Sequence, residues 1–146
     1  MVNFRKMRIG DLDVIYRDEE LRPLITVPPK GRKFAVIIEE DGLILGGASG
    51  YLEEKSAFIQ CSVLKSMEHG NLYKDGLIRS LIHFLELDGA EFLLVRGNNL
   101  LYRDIGFARM PPETDGTERF GEMIWEEIRR GDVLWINLQQ FFQKQA

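Results

Sequence analysis

One stretch restricts the possible folds more than any other, Asp75 to Phe107. Leu77, Ile78, Leu81, Ile82 and Leu85 recur at three- and four-residue spacing and so share one face of a helix. Asp75 is placed to cap that helix, Gly76 lies just inside its start, and Gly89 follows the last periodic turn, where helices commonly stop. Glu91 to Val95 is then a short apolar run, as expected of a strand buried on both faces. After Arg96-Gly97, either Asn98 or Asn99 can cap a single helical turn ending at Gly106-Phe107. A helix leaving a loop also offers N–H groups without intrahelical partners, which makes its start an anion site.

The segments before this block read as a strand meander. Phe34 to Glu39, Leu43 to Leu52 and Ala57 to Leu64 are strands separated by turn signals at Glu40-Asp41-Gly42 and Glu53-Glu54-Lys55-Ser56. Gly46, Gly47 and Gly50 inside the second strand point to a bulge or a close backbone approach. Further upstream, Asn3 to Arg8 reads as a first strand. Asp11 is expected to cap a helix running to about Leu21, stopped by Arg22-Pro23. Val27 to Lys33 carries two prolines, a glycine and three cations, and reads as a solvated connector or as an anion-attracting lip of a cleft. Downstream, Glu122 to Arg129 alternates and is expected to be a last strand, hairpinned with one at Phe107 to Met110. Val133 to Phe142 fits a helix capped by Asp132, although Leu134, Ile136 and Leu138 fit a strand equally well; the helix is taken.

The length of 146 residues suits one domain, residues 1–146, and 45% hydrophobic residues suffice for a core. A net charge of −4 argues against nucleic acid as a partner, because phosphate contacts need clustered Lys and Arg. No apolar run is long enough for a membrane span, and the N-terminal segment lacks an apolar signal core, so a cytoplasmic location and no membrane partner are expected. Cys61 is the single cysteine and His69 and His83 the two histidines, which excludes an intrachain disulfide and makes a metal site improbable.

Leu101-Tyr102-Arg103-Asp104-Ile105-Gly106-Phe107 resembles the Phe-Tyr-Glu-Lys-Leu-Gly-Phe type segment of the GNAT superfamily of acyl-CoA-dependent N-acyltransferases. Tyr73-Lys74-Asp75-Gly76-Leu77-Ile78 occupies the place of that family's pyrophosphate loop, Arg/Gln-x-x-Gly-x-Gly/Ala. Gly76 fits the first glycine, whereas Tyr73 stands where Arg or Gln is usual and Ile78 where Gly or Ala is usual. The link from the strand to Tyr102 is also shorter than in the family. The resemblance spans roughly positions 4 to 110 in element order. It implies an α/β (α+β) fold with a mixed, mostly antiparallel sheet flanked by helices, and acetyl-CoA as co-substrate.

The resemblance further implies roles for residues. Tyr73, Lys74, Asp75, Gly76, Leu77 and Ile78 would hold the pyrophosphate, the backbone of Val63, Leu64 and Lys65 the pantetheine arm, and Asn98 would lie with them. Tyr102 would return a proton to the leaving thiolate, its phenol being protonated at neutral pH. Glu68 is the candidate base, with His69 beside it. Cys61 in an apolar strand reads as core rather than nucleophile. The expected activity is transfer of an acetyl group to a primary amine, small-molecule or peptide, by direct attack. The alternative is a non-catalytic sensing or interaction module whose CoA groove is closed by Tyr73 or Ile78. Trp135, Phe141 and Phe142 offer a surface for a possible homodimer.

Overall fold

The computed structural model describes residues 1–25, 31–65, 70–110 and 120–145, with side chains described as far as Phe142. Among these residues seven strands form one sheet: β1 (Val2–Lys6), β2 (Arg32–Glu40), β3 (Leu43–Glu53), β4 (Ser56–Leu64), β5 (Phe92–Arg96), β6 (Ala108–Arg109) and β7 (Val133–Asn137). Their order is β1-β2-β3-β4-β5-β7-β6. Every neighbouring pair is antiparallel except β4 with β5, which is parallel. A parallel pair needs a crossover, and the long helix α2 (Gly70–Leu87) supplies it.

The meander follows from local signals. Asp41 and Gly42 both adopt positive φ, 52° and 82°, the backbone a tight two-residue hairpin needs. Helix α2 ends at Gly89 (φ 94°), where the Gly89 N–H donates to Glu86 O and the Ala90 N–H to Leu85 O, closing off two terminal carbonyls. Its apolar stripe of Leu77, Ile78, Leu81, Ile82 and Leu85 packs on Phe34, Val36 and Ile38 of β2, Ala57 and Ile59 of β4, and Leu93 and Val95 of β5. The opposite side chains of the sheet are covered by two smaller clusters. Ile37 meets Ile15, Leu21 and Leu24 around α1 (Leu12–Arg17), while Phe58, Phe92 and Leu94 meet Phe120, Ile124 and Ile128. β5 is thus buried on both faces, as its composition requires.

Four expectations are corrected. First, α2 does not begin at Asp75: its described span starts at Gly70, so Asp75 and Gly76 lie inside the helix. Gly76 is a packing glycine; a Cβ there would sit 2.5 Å from Phe4 Cζ of β1. Second, Glu122–Arg129 is a helix, α4, following the short α3 (Leu100–Ile105). Ile124 and Ile128 lie four residues apart and are both buried, which is helical spacing, and the Glu53 carboxylate accepts the N–H groups of Ile124 (2.9 Å) and Met123 (3.1 Å) at the helix start.

Third, Val133–Asn137 is strand β7 and only Leu138–Gln145 is helix, α5. Five β5 residues pair with β7, which fills the β5 edge, and the Asn137 side chain rather than Asp132 caps α5 by accepting the Gln140 N–H at 3.1 Å. Asp132 sits in the preceding turn with φ 58°. Fourth, α1 stops at Arg17, and Arg22-Pro23 belongs to a separate 3-10 turn, Arg22–Ile25. Asp11 caps no α-helix amide. Its carboxylate takes two hydrogen bonds from Arg5 (2.8 and 2.9 Å) and one from the Arg8 N–H (2.7 Å). The Arg5 guanidinium holds that carboxyl below its ordinary range and also donates to Glu39 at 2.7 Å.

Candidate active site

The site forms where β4 and β5 part. They pair only from Ser56↔Phe92 to Ile59↔Val95. At that level the β3–β4 register slips: Ser49 faces Cys61 and Gly50 faces Ile59, so Gln60 is an extra, unpaired residue. A bulge bends its strand and increases its twist, which carries the rest of β4 away from β5. It also reverses the alternation of side chains. Ala57 and Ile59 face α2 before the bulge, whereas Cys61 and Val63 face α1 after it.

That reversal turns Ser62 and Leu64 to the α2 side, where Tyr102 lies. Leu64 packs against the α2 core, and Ser62 lies near enough to the Tyr102 hydroxyl to lower its pKa. With no bulge, Ser62 would point to the other face of the sheet. Tyr102 itself is buried on α3, its ring edge-on to Phe107 at 5.2 Å between centroids. Asn99 starts α3 by accepting the Leu101 N–H at 2.8 Å, the cap foreseen for Asn98 or Asn99. Burial pushes the Tyr102 phenol above its ordinary value of 10, with Ser62 acting weakly in the opposite direction. The phenol is therefore a proton donor throughout the neutral range.

The parted strands enclose a cleft of about 300 Å³, lined by Gln60, Cys61, Ser62, Lys74, Ile78, Arg96, Asn99 and Tyr102 among others. Two cations line it. Arg96 is committed to Gly131 O (2.6 Å), Glu127 O (3.0 Å) and the Glu127 carboxylate (3.2 Å). Lys74 has no ion pair among the described residues. Burial raises the Cys61 thiol, so little thiolate is present at neutral pH.

The structure brings some of the predicted site residues together and separates others. Tyr102, Lys74 and Ile78 line the cleft. Leu77 is fully buried in the core, and Ile78 is a wall of the cleft within α2, not a loop residue. Asp75 pairs with Arg79 one turn on, at 2.9 Å, and Tyr73 donates its hydroxyl to Glu40 at 2.8 Å. Inside a helix the amides of Gly76, Leu77 and Ile78 are bonded to carbonyls four residues back and so are not free for an anion. Asn98 accepts only a long contact from Arg103, 3.4 Å. Glu68 and His69 lie outside the described residues.

On β4, Val63 and Lys65 also differ from expectation. The Lys65 N–H donates to Leu45 O of β3 at 2.7 Å, so by the alternation of strand groups Val63 too directs its backbone to β3, while Leu64 directs its own to the open edge. The Lys65 ammonium is held by Asp18 at 2.5 Å. Trp135 stacks on Phe92 (5.4 Å) and Phe141 is buried, so both serve the core rather than an outer surface. Sequence reasoning missed the Gln60 bulge, the placement of Ser62 near Tyr102 and the role of Arg96.

No family model matches the sequence, and no curated protein sequence matches it. Solved structures do match. Mutant forms of the spermidine/spermine N-acetyltransferase SpeG from Vibrio cholerae superpose with a TM-score of 0.66 at 14% identity, over 100% of both chains. N-acetylglutamate synthase from Neisseria gonorrhoeae, complexed with coenzyme A and L-arginine, gives 0.65 at 20% identity over 93% of this chain and 33% of that one, so this chain spans about a third of the synthase. A GNAT family acetyltransferase from Brucella melitensis in complex with acetyl-CoA gives 0.60 at 22% identity, over 74% and 83%. With the parted β4 and β5, the crossover helix and the tyrosine-bearing α3, this chain has the fold of the GNAT acetyltransferases.

Proposed function

We propose that the protein is an N-acyltransferase that moves an acetyl group from acetyl-CoA to a primary amine by direct attack. The observation that carries the reading is the buried phenol of Tyr102 lining the cleft between the parted strands, kept protonated by its burial. The residues suit the co-substrate. Leu64 turns a backbone N–H and C=O, unpaired among the described residues, to the open edge of β4, as a pantetheine amide requires, and Lys74, without an ion pair among the described residues, places a positive charge in the cleft. Acetyl-CoA supplies the acyl group as a thioester. The amine nitrogen forms a bond to the thioester carbon, the carbon–sulfur bond breaks, Tyr102 gives its proton to the sulfur, and the proton of the amine leaves to water. Tyr73 is engaged with Glu40 and is not in the cleft lining, whereas Ile78 does line the cleft; acetyl-CoA binding decides between this reading and the closed-groove alternative.

Calorimetric titration with acetyl-CoA should give submillimolar binding. Tyr102→Phe should keep that binding and lower turnover by about 100-fold or more, the usual scale of a lost general acid. Absent binding, or undiminished turnover in Tyr102→Phe, would overturn the reading.

A further inference from the structure

A second cavity, of about 510 Å³, lies on the α1 side of the sheet and is the right size for a small organic ligand. Its walls are largely apolar: Met7, Leu12, Tyr16, Leu24 and Ile25. Its floor is Ser49 and Gly50. Those two are the cross-strand partners of Cys61 and Ile59, which line the cleft. Strand β4 therefore lies between the cavity floor and the cleft, and Cys61, whose side chain faces α1, borders both sides of it. Around the mouth Ile9 and Leu12 are 88% and 42% exposed, and Tyr16 is 63% exposed with the Arg22 guanidinium over its ring at 5.2 Å.

The charge of the rim narrows the ligand further. Arg8, Lys33 and Asp13 line the cavity, and none has an ion pair among the described residues. The other carboxylates at the two ends of α1 are already matched, Asp11 by Arg5 and Asp18 by Lys65. The rim therefore has a net charge of about +1 in a chain whose total is −4.

We infer that this cavity holds the acceptor, and that the acceptor is a primary amine with an apolar body and an anionic far end, not a polyamine. The inference rests on the N-acyltransferase reading and adds the class of amine. The hydrocarbon part would lie between Leu12, Tyr16 and Leu24, the anionic group at Arg8 and Lys33, and the amine would extend past Ser49 and over Cys61 of β4 towards the cleft. Apolar walls disfavour the ammonium form, so they release the neutral amine that attack requires. A polycation would find one carboxylate against two cations and would lose the solvation of its other charges.

The test uses protein saturated with CoA and titrated calorimetrically with 8-aminooctanoate, octylamine and spermidine. The expected order is 8-aminooctanoate tightest, octylamine about tenfold weaker through loss of one charge contact, and spermidine weakest. Lys33→Glu should weaken 8-aminooctanoate at least about tenfold and strengthen spermidine. Leu12→Glu should abolish binding of octylamine, while Val14→Glu, on an exposed neighbour outside the cavity, should leave all three affinities unchanged. Circular dichroism of each variant separates lost binding from lost folding, and Arg8→Gln serves as the milder replacement if Lys33→Glu unfolds. Tightest binding by spermidine, insensitivity to Lys33→Glu, or no binding by any probe to protein that does bind acetyl-CoA would overturn the inference. Failure of acetyl-CoA itself to bind would instead overturn the catalytic reading.

Discussion

The two halves of β4 are built from similar residues and do different work. From Ser56 to Ile59 the strand is bonded to β3 on one side and β5 on the other, and all four residues are buried. From Cys61 to Leu64 it keeps β3 but loses β5, and its residues are half-buried or exposed. One extra residue, Gln60, divides the two halves. A strand can thus anchor a site with its first half and present backbone groups and a re-aimed serine with its second. The cost of the unpaired half is confined to a few residues, because the paired half holds the sheet together.

If that division is right, substitutions along β4 should have effects that diminish towards its open end. Ile59→Ala, in the doubly paired half and packed under α2, should cost about 2–4 kcal/mol in urea unfolding. Cys61→Ser, just past the bulge and half-buried, should cost about 1 kcal/mol and leave turnover intact, because the thiol takes no part in the chemistry proposed. Ser62→Ala should cost about 0.5 kcal/mol or less and instead change the titration of Tyr102. Ser62 holds the phenol down, so its removal should move the phenol titration, followed by ultraviolet absorbance, to still higher pH. An Ile59→Ala cost no greater than that of Ser62→Ala would break the comparison.

A pH scan sharpens the same point from the side of the buried tyrosines. Tyr102 is raised above 10, and Tyr51 is pushed up to about 12, chiefly by burial and then by Glu127 and Glu53. A phenol whose pKa is higher in the folded state than in the unfolded one contributes stability that is complete below pH 10 and is lost as pH rises beyond it. Stability should hold up to about pH 10 and fall between about 10 and 12, and Tyr51→Phe should flatten that fall.

Much of the architecture was legible because its causes are local. Asp41-Gly42 makes its own hairpin, Gly89 its own helix stop and Asn99 its own cap, and the stripe from Leu77 to Leu85 announces its helix. The misreadings share a cause: the deciding partner is distant in sequence. Gly76 was taken for a boundary because nothing nearby explains a glycine there; its reason is Phe4, on β1. Glu122–Arg129 was taken for a strand because the acceptor that starts its helix is Glu53, at the end of β3. β7 is a strand because β5 needs a partner. In the site, Tyr102 was identified by its segment, but Gln60 carries no local mark of a bulge, so Ser62 could not be assigned to the tyrosine. Free helix-start amides were sought at Gly76, which lies six residues inside the described helix that runs from Gly70.

Among the described residues the strand order leaves three open edges of different kinds. β6, at one end of the sheet, has two residues, too few to recruit a foreign strand, and β1, at the other, carries Arg5 and Lys6, which discourage one. The third edge lies inside the sheet, along β4 beyond Ile59, and bears no such guard. It is protected by width instead. A gap with β5 close by on the far side admits a thin, flexible chain bearing amides but not a whole strand with side chains on both faces. The same opening that would admit a pantetheine arm therefore turns away another polypeptide, and the protein can keep an unpaired backbone without inviting aggregation there.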